Sequence, residues 1–98
     1  MKSYATGPTY PLICKTIPTV FEETVRKFPE REALVSCHQE IRHSYSTLQE
    51  EVAATAAGLW GLGLRPGDRI GVWASNCAEW VYLQIAATQI GVVLVNFN

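Results

Sequence analysis

The stretch RIGVWASNCAEWVYLQIAATQIGVVLVNF, Arg69 to Phe97, decides the fold. RIGVWA reads as a β-strand, and Ser75 and Asn76 end it. Asn76 followed by Glu79 spells a capping box, so a helix is expected from Cys77 to about Ile90. Trp80, Leu83, Ala87 and Ile90 fall on one side of that helix, and Gly91 stops it. VVLVNF is a continuous apolar run with β-branched residues, the pattern of a strand covered on both faces. Strand, helix and strand make a βαβ unit with a right-handed crossover. The run after Glu79 carries no charge and is long enough to raise the question of a membrane span. Gln84, Thr88, Gln89 and Asn96 argue against a span, and Gly91 divides the run into helix and strand.

Working outward, GLGLRPGD (Gly61–Asp68) could be a phosphate cradle or plain punctuation. A dinucleotide-binding fingerprint needs strand, glycines, helix in that order. Here the order is helix, glycines, strand. Gly61 and Gly63 are therefore read as C-terminal helix caps, and Pro66-Gly67 as a type II turn with Gly67 at positive φ. Asp68 and Arg69 are expected to pair at that turn, a contact worth little when exposed. The junction Ser75-Asn76-Cys77 precedes a helix N-terminus, which attracts anions. It lacks both the glycines that allow close backbone approach and a lysine, so capping is the preferred reading.

Upstream, a first helix is expected from about Ile17 to Phe28, with Phe21, Val25 and Phe28 on one face and Pro29 closing it. Thr19 with Glu22 fits a capping box, and Thr16 is the alternative cap. EALVSC and IRHSYS, separated by HQE, read as a hairpin. Ala33, Val35 and Cys37 share one face, Leu34 and Ser36 the other. His43 lies on the second strand as a half-exposed residue. Ser46 with Gln49 opens the next helix, whose buried stripe is Leu48, Val52, Ala56 and Leu59, widened by Trp60. Glu50 and Glu51 sit favourably near its positive end. The small run AATAAG suits close packing on a sheet.

The chain has 98 residues, is 48% hydrophobic and 17% charged, and carries a formal net charge of -1. That is the profile of a globular sequence, and nothing in it draws nucleic acid or an anionic membrane. Cys14, Cys37 and Cys77 are odd in number and far apart, so a disulfide framework is not expected. They read as free, mostly buried thiols in a reducing compartment. Cys37, His38 and His43 match no common zinc spacing. MKSYATGPTYPLICK lacks arginine and a long apolar run, so it resembles neither a signal nor a transit peptide. Residues 1–15 are expected to be an extended lead-in, and residues 16–98 the folded portion.

The order of motifs resembles the N-terminal portion of adenylate-forming enzymes, the acyl-CoA synthetase and ligase family. The residues that carry the resemblance are EREALV, Tyr45, the alanine-rich helix, Gly63 with Gly67-Asp68-Arg69, Asn76 with Glu79, and Gly91 with Asn96 or Asn98. The segment from about Pro11 onward is most similar to the medium-chain fatty-acyl-CoA synthetases. The resemblance implies an α/β fold, a β-hairpin plus βαβ unit with packed helices, as an incomplete N-terminal portion of the large domain. For a complete member it implies a two-step reaction. A carboxylic acid attacks ATP, with magnesium, to give acyl-adenylate and pyrophosphate. The thiol of coenzyme A then displaces AMP.

The family's phosphate loop, its ribose-binding aspartate and its catalytic lysine have no counterpart in these residues. No catalytic, cofactor-binding or metal-ligating residue is therefore assigned. Gly63, Gly67, Asp68, Arg69, Asn76 and Glu79 are read as turn, cap and packing residues. The expectation is a scaffold segment of an ATP-dependent fatty-acid–CoA ligase, inactive alone. ATP, magnesium and coenzyme A would belong to the parent enzyme, and the partner would be the rest of that parent or a longer relative. The alternatives are a non-catalytic interaction module and, more weakly, a small nucleotide-binding domain. The compartment is expected to be cytoplasm or mitochondrial matrix. Trp73, Trp80 and Val92 to Val95 are candidates for apolar surface left bare.

Overall fold

The computed structural model describes residues 3–97, so Asn98 of the family-like motif lies outside the described residues. Residues 3–15 carry no helix or strand. There follow α1 (Ile17–Lys27), β1 (Glu32–Ser36), a short 3₁₀ turn (Cys37–Gln39), β2 (Ile41–Ser44), α2 (Tyr45–Gly61), β3 (Arg69–Val72), α3 (Ala78–Gln89) and β4 (Val93–Asn96). β1 and β2 pair antiparallel, while β3 and β4 pair in parallel around α3. The expected hairpin and βαβ unit are both present.

The helix caps differ from expectation in detail. α1 is capped by Thr16, whose hydroxyl accepts from the Thr19 amide at 3.3 Å, and Phe28 is its C-cap. α2 is capped by Ser44, not Ser46. The reason is that β2 runs directly into the helix, so the first helical amides meet earlier chain. Tyr45 N donates to Arg31 O and Ser46 N to Pro29 O, each at 3.0 Å. Those bonds pin the turn after α1 to the start of α2.

α2 ends in a Schellman motif. Leu64 N donates to Leu59 O, Gly63 N donates to Trp60 O, and Gly63 sits at φ +97°. Arg65 then folds back over the Trp60 ring, 3.8 Å from its centroid, and donates to the Trp60 carbonyl. Pro66-Gly67 makes the expected turn, with Asp68 N donating to Arg65 O. Asp68 does not pair with Arg69. Its carboxylate accepts from the Arg65 amide at 2.8 Å, closing the turn from inside.

The core lies where α2 crosses α3. Leu48 and Val52 meet Ala78, Tyr82 and Ala86, with Phe21, Leu34 and Ile41 packed around them. Small residues on α3 let the two helices approach closely. The face of α3 turned to α2 is thus Ala78, Tyr82 and Ala86, not the expected line of Trp80, Leu83, Ala87 and Ile90. α3 spreads its apolar residues round its whole circumference, with Glu79, Gln84, Thr88 and Gln89 scattered among them, so periodicity alone could not choose its inner face. In the hairpin, a register shift between Glu32 and Leu34 upsets the strict alternation. Val35 and Cys37, expected on a shared face with Ala33, are exposed.

β4 was expected to be covered on both faces. In the structure Val93 is 49% and Val95 38% exposed, while Val92 just before the strand is buried. Arg69 and Gly71 of β3 stand beside Val93 and Val95 on this outer face. Phe97 lays its ring against Gly71, where a Cβ would collide with it. Trp73, 84% exposed, follows on the same side by alternation.

Candidate functional site

Two places on this scaffold bring chemical groups together. The first is the N-terminus of α3. Cys77 is the N-cap but supplies no side-chain cap. The capping atom comes from the hairpin turn 39 residues earlier: Gln39 Oε1 accepts from Ala78 N at 2.8 Å. The same oxygen accepts from Ser36 Oγ at 2.6 Å, and Gln39 Nε2 donates to both carboxylate oxygens of Glu79 at 3.0 and 3.1 Å. One amide side chain therefore ties together hairpin, helix end and first-turn carboxylate. The bond from Gln39 holds the Glu79 carboxyl below its ordinary value, helped by its own backbone amide and the Cys77 thiol.

This arrangement does not fit an anion site. The first free helical amide already has its acceptor, and Glu79 places negative charge where a phosphate would sit. Asn76 does not cap the helix as expected. Cys37, exposed, and Cys77, half-buried, were expected to be mostly buried, and so was Cys14, which is exposed too. Cys37 opens the 3₁₀ turn that follows β1, and Glu40 closes that turn at φ +57°. No group of three or more His, Cys, Asp or Glu among the described residues is placed to hold a metal ion.

His43 is drawn inward. Its Nε2 is hydrogen-bonded to the hydroxyl of Tyr82, which is 8% exposed. Burial pushes the Tyr82 phenol up, and the carboxylates of Glu51 and Glu79 push in the same direction. The pair links β2 to α3 across the core and satisfies a buried hydroxyl.

The second place is a groove at the carboxyl ends of β3 and β4, lined by Trp73, Ser75, Asn76, Trp80, Asn96 and Phe97 among others. In open α/β sheets ligands collect at this edge. The side chains offer aromatic faces, amides and one hydroxyl. Among the described residues that line it there is no carboxylate, imidazole, amine or thiol, so these side chains can stack and hydrogen-bond but supply no general acid or base.

Gln39 and the His43–Tyr82 pair were absent from the sequence reading. Their partners lie 39 residues away, and no local spacing signals such contacts.

A family model described as AMP-binding enzyme matches residues 21–98. The mitochondrial medium-chain acyl-CoA ligase of Rattus norvegicus is 44% identical over 97 residues, covering 98% of this chain and 16% of the relative. The human protein of the same name is 43% identical over the same length. The chain thus spans about a sixth of the length of the curated relatives it matches. Among solved structures, the N-terminal subdomain of Klebsiella oxytoca NpsA superposes with a TM-score of 0.80 at 31% identity, over 86% of this chain and 22% of that one. A Mycobacterium tuberculosis fatty acyl CoA synthetase superposes with a TM-score of 0.81 at 25% identity, over 85% of this chain and 16% of that one. The match across the hairpin, α2 and the whole βαβ unit makes this chain a member of the AMP-binding enzyme family, the adenylate-forming enzymes.

Proposed function

We propose that this chain is the scaffold segment of an ATP-dependent medium-chain fatty-acid–CoA ligase and catalyses no step by itself. The observation that carries the reading is the outer face of β3–β4. A parallel sheet is normally covered on both faces, and here α3 covers one while Val93, Val95, Trp73 and Phe97 stand bare on the other. In a complete ligase that face would be closed by the rest of the parent, which would also supply the groups for ATP, magnesium and coenzyme A. The N-terminus of α3 does not fit a nucleotide phosphate, because Gln39 and Glu79 fill it. The names of its mitochondrial relatives favour the matrix over the cytoplasm. Residues 1–15 act as a lead-in and residues 16–98 as the N-terminal portion of the AMP-binding domain.

The test is a chimera. This chain replaces the matched 97 residues of the rat ligase, and acyl-CoA formation from a medium-chain acid is measured beside ATP–pyrophosphate exchange by the isolated chain. Activity in the chimera with none in the isolated chain supports the proposal. Exchange by the isolated chain, or a folded but inactive chimera, overturns it. The same bare face also suits an interaction module that pairs with a longer relative. A monodisperse monomer that ignores the rat ligase on size exclusion removes that second reading.

A further inference from the structure

α1 leaves an apolar groove against α3 and the start of α2, lined by Ile17, Val20, Phe21, Tyr45 and Ile85. Phe21 and Ile85 are among the side chains packed on the core, so the groove opens onto that core from the α1 side. Ile17 and Val20 are exposed in it. The chain enters α1 along the groove's edge. Thr16 is the N-cap, which makes Lys15 and Val20 the pair that a hydrophobic staple would join. Both line the groove, but Lys15 is charged, and its Nζ donates to the two Glu23 carboxylate oxygens at 2.9 and 3.0 Å. The apolar partner that Val20 lacks stands just upstream. Leu12 is 89% and Ile13 76% exposed, and Tyr10 beside them is open too. From Ser3 to Cys14 the sequence carries no charge.

We propose that residues 10–13 are a strap that folds back over this groove and seats Leu12 and Ile13 beside Val20 and Ile85. The reach is short. Ile13 and Leu12 lie two and three residues from Lys15 at the groove's edge, so at most about 7 and 10 Å of chain separate them from it. The chemistry matches, because an uncharged apolar segment meets an apolar groove. Closure desolvates no charge, since Lys15 keeps its bond to Glu23 at the rim. Pro8 and Pro11 restrict the free segment, so ordering it costs less than it would for a freely jointed chain. The short tether also selects the occupant. It gives the strap an effective concentration on the order of millimolar at its own groove, above that of other copies at micromolar protein. Each strap therefore closes on its own molecule. It covers a different surface from the outer face of β3–β4, and the inference does not depend on what the parent enzyme does.

The experiment is NMR on the full chain, with two differently labelled samples mixed so that contacts within one molecule are told from contacts between copies. The expected result is nuclear Overhauser effects from the Leu12 and Ile13 methyls to those of Val20 and Ile85, within one molecule and unchanged on dilution. Leu12→Ser and Ile13→Ser made together remove these contacts and lower the thermal midpoint by roughly 5 °C. Both positions are exposed when the strap is open, so the double variant keeps its fold. Val20→Glu, at a partly exposed site, opens the strap from the groove side and speeds chymotrypsin cleavage after Leu12 about 10-fold. Three results would each overturn the proposal: no such contacts, contacts only between copies, or a double variant with the parent's midpoint. Equal cleavage after Leu12 in the parent chain and in Val20→Glu would do the same.

Discussion

Replacing Gln39 with alanine tests the central claim about how this fold is joined. The substitution removes the acceptor of the Ala78 amide, which plays the part of an N-cap and is worth about 1 kcal/mol. It also removes the acceptor of the Ser36 hydroxyl, which is 8% exposed, for about another 1 kcal/mol. The contact with Glu79 is solvent-exposed and screened, so it is left out of the sum. The expected loss is about 2 kcal/mol, a fall in thermal midpoint of roughly 10 °C for a domain of this size. Urea titration followed by tryptophan fluorescence reads the global term, since Trp80 lies two residues beyond the capped amide. Hydrogen exchange reads the local one: at about 1 kcal/mol for the lost cap, protection of the Ala78 amide should drop about 5-fold. Gln39→Glu is the sharper variant. It keeps an acceptor but sets a second carboxylate against Glu79, so it is destabilised at neutral pH and recovers as acid protonates the pair. A Gln39→Ala variant within about 0.3 kcal/mol of the parent, with the Ala78 amide equally protected, would refute the clamp.

Three further outcomes follow from the same geometry. Glu79 has its folded pKa depressed below 4.5 by Gln39 first, so its contribution is fully present above ordinary carboxylate values and is lost as pH falls through the folded pKa. Midpoints measured from pH 7 to pH 3 should therefore decline in acid, and Glu79→Gln should flatten that decline. Val52, the fully buried side chain at the α2–α3 crossing, should cost about 2 kcal/mol when cut to alanine, read by urea titration. Gly71→Ala drives a Cβ into the Phe97 ring and should cost about 1 kcal/mol. In a Phe97→Ala background the same change should cost nothing, and a persistent cost there would mean that the ring does not fix the glycine.

The elements were legible in the sequence because their signals are local. Gly63, Gly67 and Gly91 punctuate helix and turn, and all three adopt the positive φ their positions demand. Parallel pairing of β3 with β4 followed from strand, helix and strand in a short span. What stayed hidden depends on contacts between distant segments. Ser44 caps α2 instead of Ser46 because Arg31 and Pro29 supply acceptors for the next amides. Asn76 yields the cap of α3 to Gln39 because the hairpin turn reaches it first. Cys37 leaves the strand for a 3₁₀ turn closed by the left-handed Glu40, a residue type that does not advertise that conformation. The inner face of α3 was unreadable because apolar residues stand on more than one side of it and the polar ones form no single stripe.

That last property bears on what the segment is for. A helix with apolar residues on more than one side packs against two layers. α3 has them: α2 and the hairpin on one side, β3–β4 on the other. The sheet is only two strands wide, and its outer face carries Val93, Val95, Trp73 and Phe97 toward solvent. Folding the Phe97 ring onto Gly71 covers a little of that surface and leaves most of it wet. Covering the four side chains would contribute roughly 4 kcal/mol, at about 1 kcal/mol or more for each. That approaches the lower end of a small domain's stability, about 5 kcal/mol. The Gln39 clamp and the α2–α3 core set the shape of the segment from within. Its firmness depends on what lies against the outer face, as suits a scaffold whose rigidity is completed by the enzyme it supports.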